Sequence, residues 1–250
     1  MKQQFHTIPV VEAYETQDEC PFCYLQRQTE QRAIRYFAGP GASYMEPHVR
    51  GLTNRVGFCP AHIKKLYDFG NPLGSALMIQ THCEDILEDL KANLQQPPKA
   101  SRKPLFGKRR DDASGTYQGH LRSRTASCVI CDRVEESMDR QYQVFFDLLK
   151  EPEFRAMIET SKGFCVPHFA RLLQMAEKHL PGSQRDWFYS TVNARMIENL
   201  ERVKGDLDWM IAKYDYRNAD KPWGNSKDAL QRAMQKLAGV YPADGPYRNE

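Results

Sequence analysis

The sequence lacks several features that would identify a function at once. It contains no run of the ~18 apolar residues that a membrane-spanning helix needs, and the N-terminal MKQQFHTIPVVEAYE has no apolar core of a secretory signal. It has no phosphate-binding loop, no serine-nucleophile motif and no H-E-x-x-H motif. The net charge of +3 is too small to indicate a nucleic-acid partner by itself. These absences predict a cytoplasmic protein that does not enter a membrane.

The alternating apolar pattern of β-strands is also missing. Apolar residues instead recur three or four positions apart, as they do on one face of an α-helix. One such helix is expected from about residue 72 to residue 94, and another follows the second C-x-x-C, where the apolar positions are Val134, Met138, Tyr142, Phe145 and Leu149. The pattern therefore predicts an all-α fold.

Cysteines occur in a repeated order. The chain has seven, and six of them lie in four short strings. ECPFC (residues 19–23) recurs as SCVIC (residues 127–131), and GFCPAH (residues 57–62) recurs as GFCVPH (residues 163–168). Two pairs of matching strings in the same order indicate an internal duplication.

Each copy of the repeat carries three cysteines and one histidine at helix starts. The first quartet is Cys20, Cys23, Cys59 and His62, and the second is Cys128, Cys131, Cys165 and His168. Three thiolates with one imidazole are typical of tetrahedral zinc, and paired cysteines in the cytoplasm more often bind metal than form disulfides. Because each half carries a full set, we expect each quartet to form within its own half, with two zinc ions per chain.

Three other uses of paired cysteines have requirements of their own. A thioredoxin-type dithiol lies in a βαβ pattern, which is absent, and it leaves the repeated C-x-x-H unexplained. Covalent haem is excluded because neither C-x-x-C is followed by histidine. An iron–sulfur cluster in each quartet stays an alternative, because thiolates with a histidine also hold such clusters.

The duplication predicts four segments. An N-terminal metal-binding repeat (1–94) and a C-terminal one (128–214) are expected in a pseudo-two-fold arrangement, followed by a loop, a short helix and a tail (215–250). Between them, residues 95–127 are rich in Pro, Gly and Ser and predict a flexible linker. Its basic residues favour a solvated linker over phosphate contacts; they are Lys99, Arg102, Lys103, Lys108, Arg109, Arg110, Arg122 and Arg124.

Three further residues outside the quartets have structural interpretations. Cys83 lies on the apolar face of its helix and is expected to be a small core residue. Gly57 and Gly163 are expected to shape the turns that precede the two C-x-x-H motifs.

These strings also carry a resemblance. HTIPVVEAYE, CPFC, the SYMEPHVR segment before GFCPAH, and CVIC with GFCVPH resemble a family of unknown function found mainly in Gram-positive and anaerobic bacteria. The resemblance covers most of residues 5–240 and excludes the basic linker. It implies the duplicated motifs and no particular activity.

The expected function follows from the closed ligand sets. Four protein ligands leave no coordination position for substrate or activated water, which favours a non-catalytic binding or adaptor protein with an unknown protein partner. Nucleic-acid contact through the basic linker is a weaker hypothesis. The alternatives are an iron–sulfur redox or cluster-handling protein of an anaerobic cytoplasm and a metalloenzyme. The oligomeric state is left open.

Overall fold

A computed structural model describes residues 5–93, 117–245 and 247–248, and the chain is all-α within these ranges. Its helices in chain order are α1 (Ile8–Glu15), α2 (Pro21–Ala38), α3 (Pro47–Val56), α4 (Pro60–Phe69), α5 (Pro72–Asn93), α6 (Tyr117–Ala126), α7 (Val129–Leu148), α8 (Pro152–Thr160), α9 (Val166–His179), α10 (Gly182–Ala212) and α11 (Ala229–Ala238). Short 3-10 helices lie at Ser43–Met45 and Tyr216–Asn218. The predicted all-α fold class is confirmed.

Proline and glycine mark many of the helix boundaries. Pro47, Pro60 and Pro152 are the first residues of α3, α4 and α8, where the missing N–H is not needed by the helix. Gly70 and Gly239 follow α4 and α11 with left-handed backbone conformations, which end a helix at little cost for glycine. The helix expected from about residue 72 to residue 94 corresponds to α5 (Pro72–Asn93).

The chain divides into two compact units whose boundaries differ from those of the sequence repeat. Among the described residues, those of Met1–Thr29 and Glu136–Gly245 form the first unit, and those of Glu30–Glu135 and Pro246–Glu250 form the second. The predicted repeats instead change at residues 94 and 128. Helices α2 and α7 each contribute residues to both units, so a unit combines segments from both sequence halves.

An aromatic cluster forms the core of the first unit. The Phe145 ring lies 5.5–6.5 Å from four other phenylalanine rings, mostly edge to face, and all five side chains are fully buried; the partners are Phe22, Phe154, Phe164 and Phe188. Such arrangements add to the hydrophobic burial that stabilises a core. The start of α2 and the turn before α9 are therefore packed against the C-terminal part of α7.

The second unit has a smaller core in which α3 packs along α5. Phe37 and Phe58 are buried with ring centroids 6.4 Å apart. The Nδ1 atom of His82 lies 2.7 Å from the carbonyl oxygen of Asn54, and the hydroxyl of Thr81 donates to the Asn54 side chain. The α5 helix buries little else, since only Gly74 and Met78 are fully buried on it.

Two predictions about this unit differ from the structure. Cys83 is exposed, so its prediction as a core residue is wrong; the apolar face of α5 is only half-buried there. Part of the predicted linker is helical: α6 packs on α5 through the Arg124–Asp85 ion pair and a contact between His120 and Asp89. The linker residues 95–116, with six of the eight basic residues, lie outside the described ranges.

None of the described helices is both long enough and apolar enough to cross a membrane.

Candidate metal centres

The four cysteine motifs occupy the same position on four helices. In each motif the first ligand directly precedes the helix and the second is the third helical residue, at the starts of α2, α4, α7 and α9. Side chains at these two positions point to the same side of the helix start, as in a capping box. The N-terminal end of a helix also carries partial positive charge, which stabilises a thiolate. The x-x spacing thus brings both ligands to one electropositive helix end.

The eight predicted ligands converge in two groups, and the pairing of motifs is exchanged between the sequence halves. Group 1 contains Cys20, Cys23, Cys165 and His168, and group 2 contains Cys59, His62, Cys128 and Cys131. Within each group the ligand atoms all lie within 4.8 Å of one another. The prediction that each quartet forms within its own half is therefore wrong. Each C-x-x-C instead meets the C-x-x-H of the other half, inside a single compact unit.

The separations between ligand atoms are short in both groups. The Sγ atoms of Cys23 and Cys165 are 3.5 Å apart, and the Nδ1 atom of His168 lies 3.0–3.5 Å from the group's three sulfurs. In group 2, the Sγ atoms of Cys59 and Cys131 are 3.8 Å apart, and the His62 Nδ1 lies 3.2–3.3 Å from three sulfurs. Both imidazoles therefore present Nδ1 to the thiols.

Glycine at matching positions allows each C-x-x-H turn to approach a neighbouring helix. Gly57 and Gly163 both have φ of +72°. A Cβ at Gly57 would lie 2.5 Å from the His82 ring, and one at Gly163 would lie 3.1 Å from the Arg195 carbonyl oxygen. The positive φ strains any L residue at both positions, and the close contacts leave little room for a side chain. The expectation that these glycines shape the turns is confirmed.

The two groups differ in their exposure to solvent. All four ligands of group 1 are buried, whereas in group 2 Cys131 is exposed and Cys59 is partly exposed. A backbone hydrogen bond lies beside group 2, where the N–H of Val129 donates to the carbonyl oxygen of Gly57 at 3.1 Å. This bond links the start of α7 to the turn before α4 beside the thiols.

A carboxylate orients the histidine of group 2. The Nε2 atom of His62 lies 2.9 Å from Oε1 of Glu30, while its Nδ1 atom faces the sulfurs. The other Glu30 oxygen accepts hydrogen bonds from Lys65 and Tyr247. A carboxylate on the outer nitrogen fixes the ring and its tautomer, which is the usual arrangement behind a metal-binding histidine.

A buried lysine ties together the two turns that carry group 1. Lys236 on α11 is 1% exposed, and its Nζ atom donates to the carbonyl oxygens of Glu19 and Lys162. Glu19 directly precedes Cys20, and Lys162 lies three residues before Cys165. The ammonium also lies 3.3 Å from the Glu19 carboxylate, which accepts a hydrogen bond from Arg202. Burial lowers the pKa of Lys236, and the Glu19 carboxylate opposes that shift.

Crowding separates the pKa values of neighbouring thiols. Burial raises the pKa of Cys128, but hydrogen bonding to His62 lowers it to about 6, whereas burial and the nearby Cys128 raise the pKa of Cys131 to about 12. In group 1, burial opposes ionisation of Cys20, but its hydrogen-bonded neighbours hold its pKa well below the usual value; the bond to Cys165 raises that of Cys23. Ionising one thiol therefore suppresses the next, and a bound divalent cation would relieve that repulsion.

A polar cleft of about 710 Å³ adjoins group 1, and six of the eight charged side chains that line it are paired with one another. Arg202 bonds Glu19, and Arg195 pairs with Glu198. Arg232 bonds Asp228 and also Asp206 nearby. The arrangement is that of a structural ion-pair network.

Sequence reasoning named all eight side chains that converge and missed the residues that support them. At the 108-residue offset between the two C-x-x-C motifs, Glu19 and Glu30 correspond to Ser127 and Met138, so neither glutamate belongs to the repeated motif. Lys236 lies far along the chain in a helix without a cysteine motif. No sequence spacing indicates that these residues lie near the ligands, because only the tertiary fold brings them together.

Comparison with known proteins places the chain in a family without an assigned activity. A family model described as "Family of unknown function (DUF6062)" matches residues 1–244. The chain is 23% identical over 208 residues, 81% of its length, to a protein of Caldicellulosiruptor sp. (strain Rt8B.4) described as an uncharacterized 23.9 kDa protein in the xynA 3' region, 85% of which is covered. No solved structure matches the chain. The resemblance found in the sequence is confirmed.

Replacing Lys236 tests its role in holding the group 1 turns. Lys236→Met removes three hydrogen-bond donors and leaves two carbonyl oxygens and a carboxylate buried, so we expect a loss of about 3 kcal/mol in the free energy of unfolding. Urea unfolding followed by circular dichroism measures it. Lys227→Met, at an exposed lysine nearby, is the control, with a change within about 0.5 kcal/mol. Equal effects of the two variants would contradict the assigned role.

Proposed function

The chain belongs to the family of unknown function DUF6062, and for it we propose a structural zinc protein without catalytic activity that acts as a binding or adaptor module. The observation that carries the proposal is the convergence of two Cys₃His sets, each with its ligand atoms within 4.8 Å of one another. One zinc ion in each group would join two helix starts inside one compact unit.

The separations in each group suit a single tetrahedral ion. Two thiolates bound to one zinc ion at about 2.3 Å lie about 3.8 Å apart in tetrahedral geometry, and a thiolate and an imidazole lie slightly closer. The Sγ pairs Cys23–Cys165 and Cys59–Cys131 are 3.5 and 3.8 Å apart. The sulfur-to-imidazole separations are 3.0–3.5 Å. The donor atoms therefore stand where one ion needs them.

The same separations favour zinc over an iron–sulfur cluster. In a cluster the four ligands are divided between two or four irons, which are themselves separated by bridging sulfides, so the ligand set as a whole is spread further apart than around one ion. Neither group has ligand atoms more than 4.8 Å apart. A cluster would require each group to expand, including group 1, whose four residues are all buried.

A structural role agrees with the closed ligand sets. Three sulfurs and one nitrogen complete a tetrahedron, which leaves no position for water or substrate on the ion. Zinc bound to Cys20 and Cys165 would hold α2 against α9, and zinc bound to Cys128 and His62 would hold α7 against α4. Metal binding of this kind is coupled to folding, because the ligands come together only in the folded chain.

The cellular setting is part of the proposal. Thiolate ligands stay available for zinc in a reducing compartment, and the seven cysteines are all free thiols in this structure. We place the protein in the cytoplasm on that argument. Its function there is to present a metal-stabilised helical surface to another protein.

Metal analysis tests the proposal directly. The protein purified without added metal is expected to be colourless and to contain two zinc ions per chain by inductively coupled plasma mass spectrometry. Removing them with a chelator is expected to reduce the helical circular dichroism signal, since the metal holds four helix starts. Brown protein with iron and acid-labile sulfide after anaerobic purification would overturn the zinc assignment.

Paired substitutions test which motifs share an ion. Cys20→Ser with Cys165→Ser removes two ligands from group 1 only, so one zinc ion per chain should remain. Cys20→Ser with Cys59→Ser damages both groups, so both ions should be lost or weakly held. Metal content after gel filtration measures each result.

The control for these substitutions is Cys83→Ser, since Cys83 belongs to neither group. This variant is expected to retain both zinc ions. If the pair Cys20 and Cys59 cost one ion while the pair Cys20 and Cys165 cost both, the ligands would be assembled within the sequence halves. That outcome would contradict the exchanged pairing.

A further inference from the structure

Each group contains a pair of closely spaced thiols, and the two pairs differ in their access to solvent. In group 1 the Sγ atoms of Cys23 and Cys165 are 3.5 Å apart, and both side chains are buried. In group 2 the Sγ atoms of Cys59 and Cys131 are 3.8 Å apart, while Cys131 is exposed and Cys59 is partly exposed. A dissolved reagent can therefore meet the second pair directly, whereas the first pair is shielded by the fold.

Access to solvent decides which of these thiols a small oxidant attacks. Oxidation by a peroxide begins at a thiolate, and a disulfide follows where the thiolate is exposed and a second cysteine lies beside it. A thiol bound to zinc is held as a thiolate whether it is buried or exposed. Ionisation therefore does not distinguish the zinc-bound groups from one another, and exposure does.

We propose that Cys131 and Cys59 form a peroxide oxidation site, in which Cys131 reacts first and Cys59 closes a disulfide with it. Cys131 is the exposed member of the eight ligands, and Cys59 is the partly exposed one. The other two ligands of group 2, His62 and Cys128, are buried. The release of zinc that follows from this oxidation rests on the proposed zinc function, whereas the disulfide itself does not.

Hydrogen peroxide supplies the oxidising equivalents in two steps. The Cys131 thiolate attacks one peroxide oxygen, the O–O bond breaks, and hydroxide leaves, so that Cys131 becomes a sulfenic acid. The Cys59 thiolate then attacks the sulfenic sulfur, the S–O bond breaks, and a second hydroxide leaves as the disulfide forms. The two sulfurs lose two electrons and the peroxide gains them. Two protons from solvent convert the two hydroxides to water.

The backbone keeps the two sulfurs near each other without help from an ion. The N–H of Val129 donates to the carbonyl oxygen of Gly57, and these residues lie two positions before Cys131 and Cys59. A disulfide bond is about 2.05 Å long, so the sulfurs, now 3.8 Å apart, have to approach by about 1.8 Å. Rotation of the two side chains can supply this approach while the backbone hydrogen bond stays in place.

Disulfide formation would remove two of the four ligands of group 2. His62 and Cys128 would remain, and two ligands are too few for a structural zinc ion. The ion of group 2 would leave, and the starts of α4 and α7 would lose their metal link. Group 1 would keep its ion, because all four of its ligands are buried. Peroxide would thus act on the metal of the second unit and spare that of the first.

Peroxide treatment of the full chain tests the proposal. The Cys83→Ser variant is treated beside the unchanged chain, because Cys83 is an exposed thiol outside both groups that also meets the oxidant. After timed treatment the peroxide is destroyed with catalase, free thiols are alkylated in denaturant, and disulfides are mapped by mass spectrometry of unreduced peptides. We expect a Cys59–Cys131 disulfide to form at least about tenfold faster than a Cys23–Cys165 disulfide.

Zinc content is measured on desalted samples taken before alkylation. It should fall from two ions per chain to one, and dithiothreitol with added zinc should restore the second ion. The buried pair Cys23 and Cys165 is the matched control within the same molecule. Equal rates for the two pairs, a disulfide from Cys131 to Cys128 instead, or thiols of group 2 that stay reduced would overturn the proposal. A chain without zinc before treatment would contradict the proposed function alone, since the peptide map still locates the oxidation site.

Discussion

The confinement of three thiols and one imidazole at a pair of helix starts is the constraint on which each unit depends. The ligand atoms lie within 4.8 Å of one another, where more than one thiolate is strongly unfavourable without a cation. The helix ends supply partial positive charge, and buried groups such as Lys236 hold the surrounding turns. A divalent ion would complete this balance and make the helix packing conditional on the metal.

The exchange of motifs follows from where the helices begin and end. The first C-x-x-C begins α2 in the first unit, and α2 ends in the second; α7 begins in the second unit and ends in the first. Neither sequence half contains a complete group, since each group combines a C-x-x-C from one half with a C-x-x-H from the other. The sequence thus contains two consecutive copies of the repeat, whereas each compact unit of the fold combines segments from both copies.

Sequence reasoning was sufficient for the fold class and for the residues of the site, because helical periodicity and C-x-x-C spacing are local properties. It was insufficient for their pairing, because both halves carry the same motifs and the spacing permits either combination. It placed Cys83 in the core, although the apolar face of α5 is only half-buried at that residue. It also missed α6, whose position depends on ion pairs such as Arg124–Asp85. The sequence also gives no connection between Lys236 and group 1, because only tertiary packing brings α11 next to the turns that carry the ligands.

Anomalous X-ray diffraction from a crystal of the protein, collected on both sides of the zinc absorption edge, tests the central claim most directly. The account predicts two zinc peaks per chain, one bonded to Cys20, Cys23, Cys165 and His168 and the other to Cys59, His62, Cys128 and Cys131. A zinc peak bonded to both Cys20 and Cys59 would contradict the exchanged pairing. Absence of a zinc signal with density for a larger iron-containing cluster would contradict the single-ion centres.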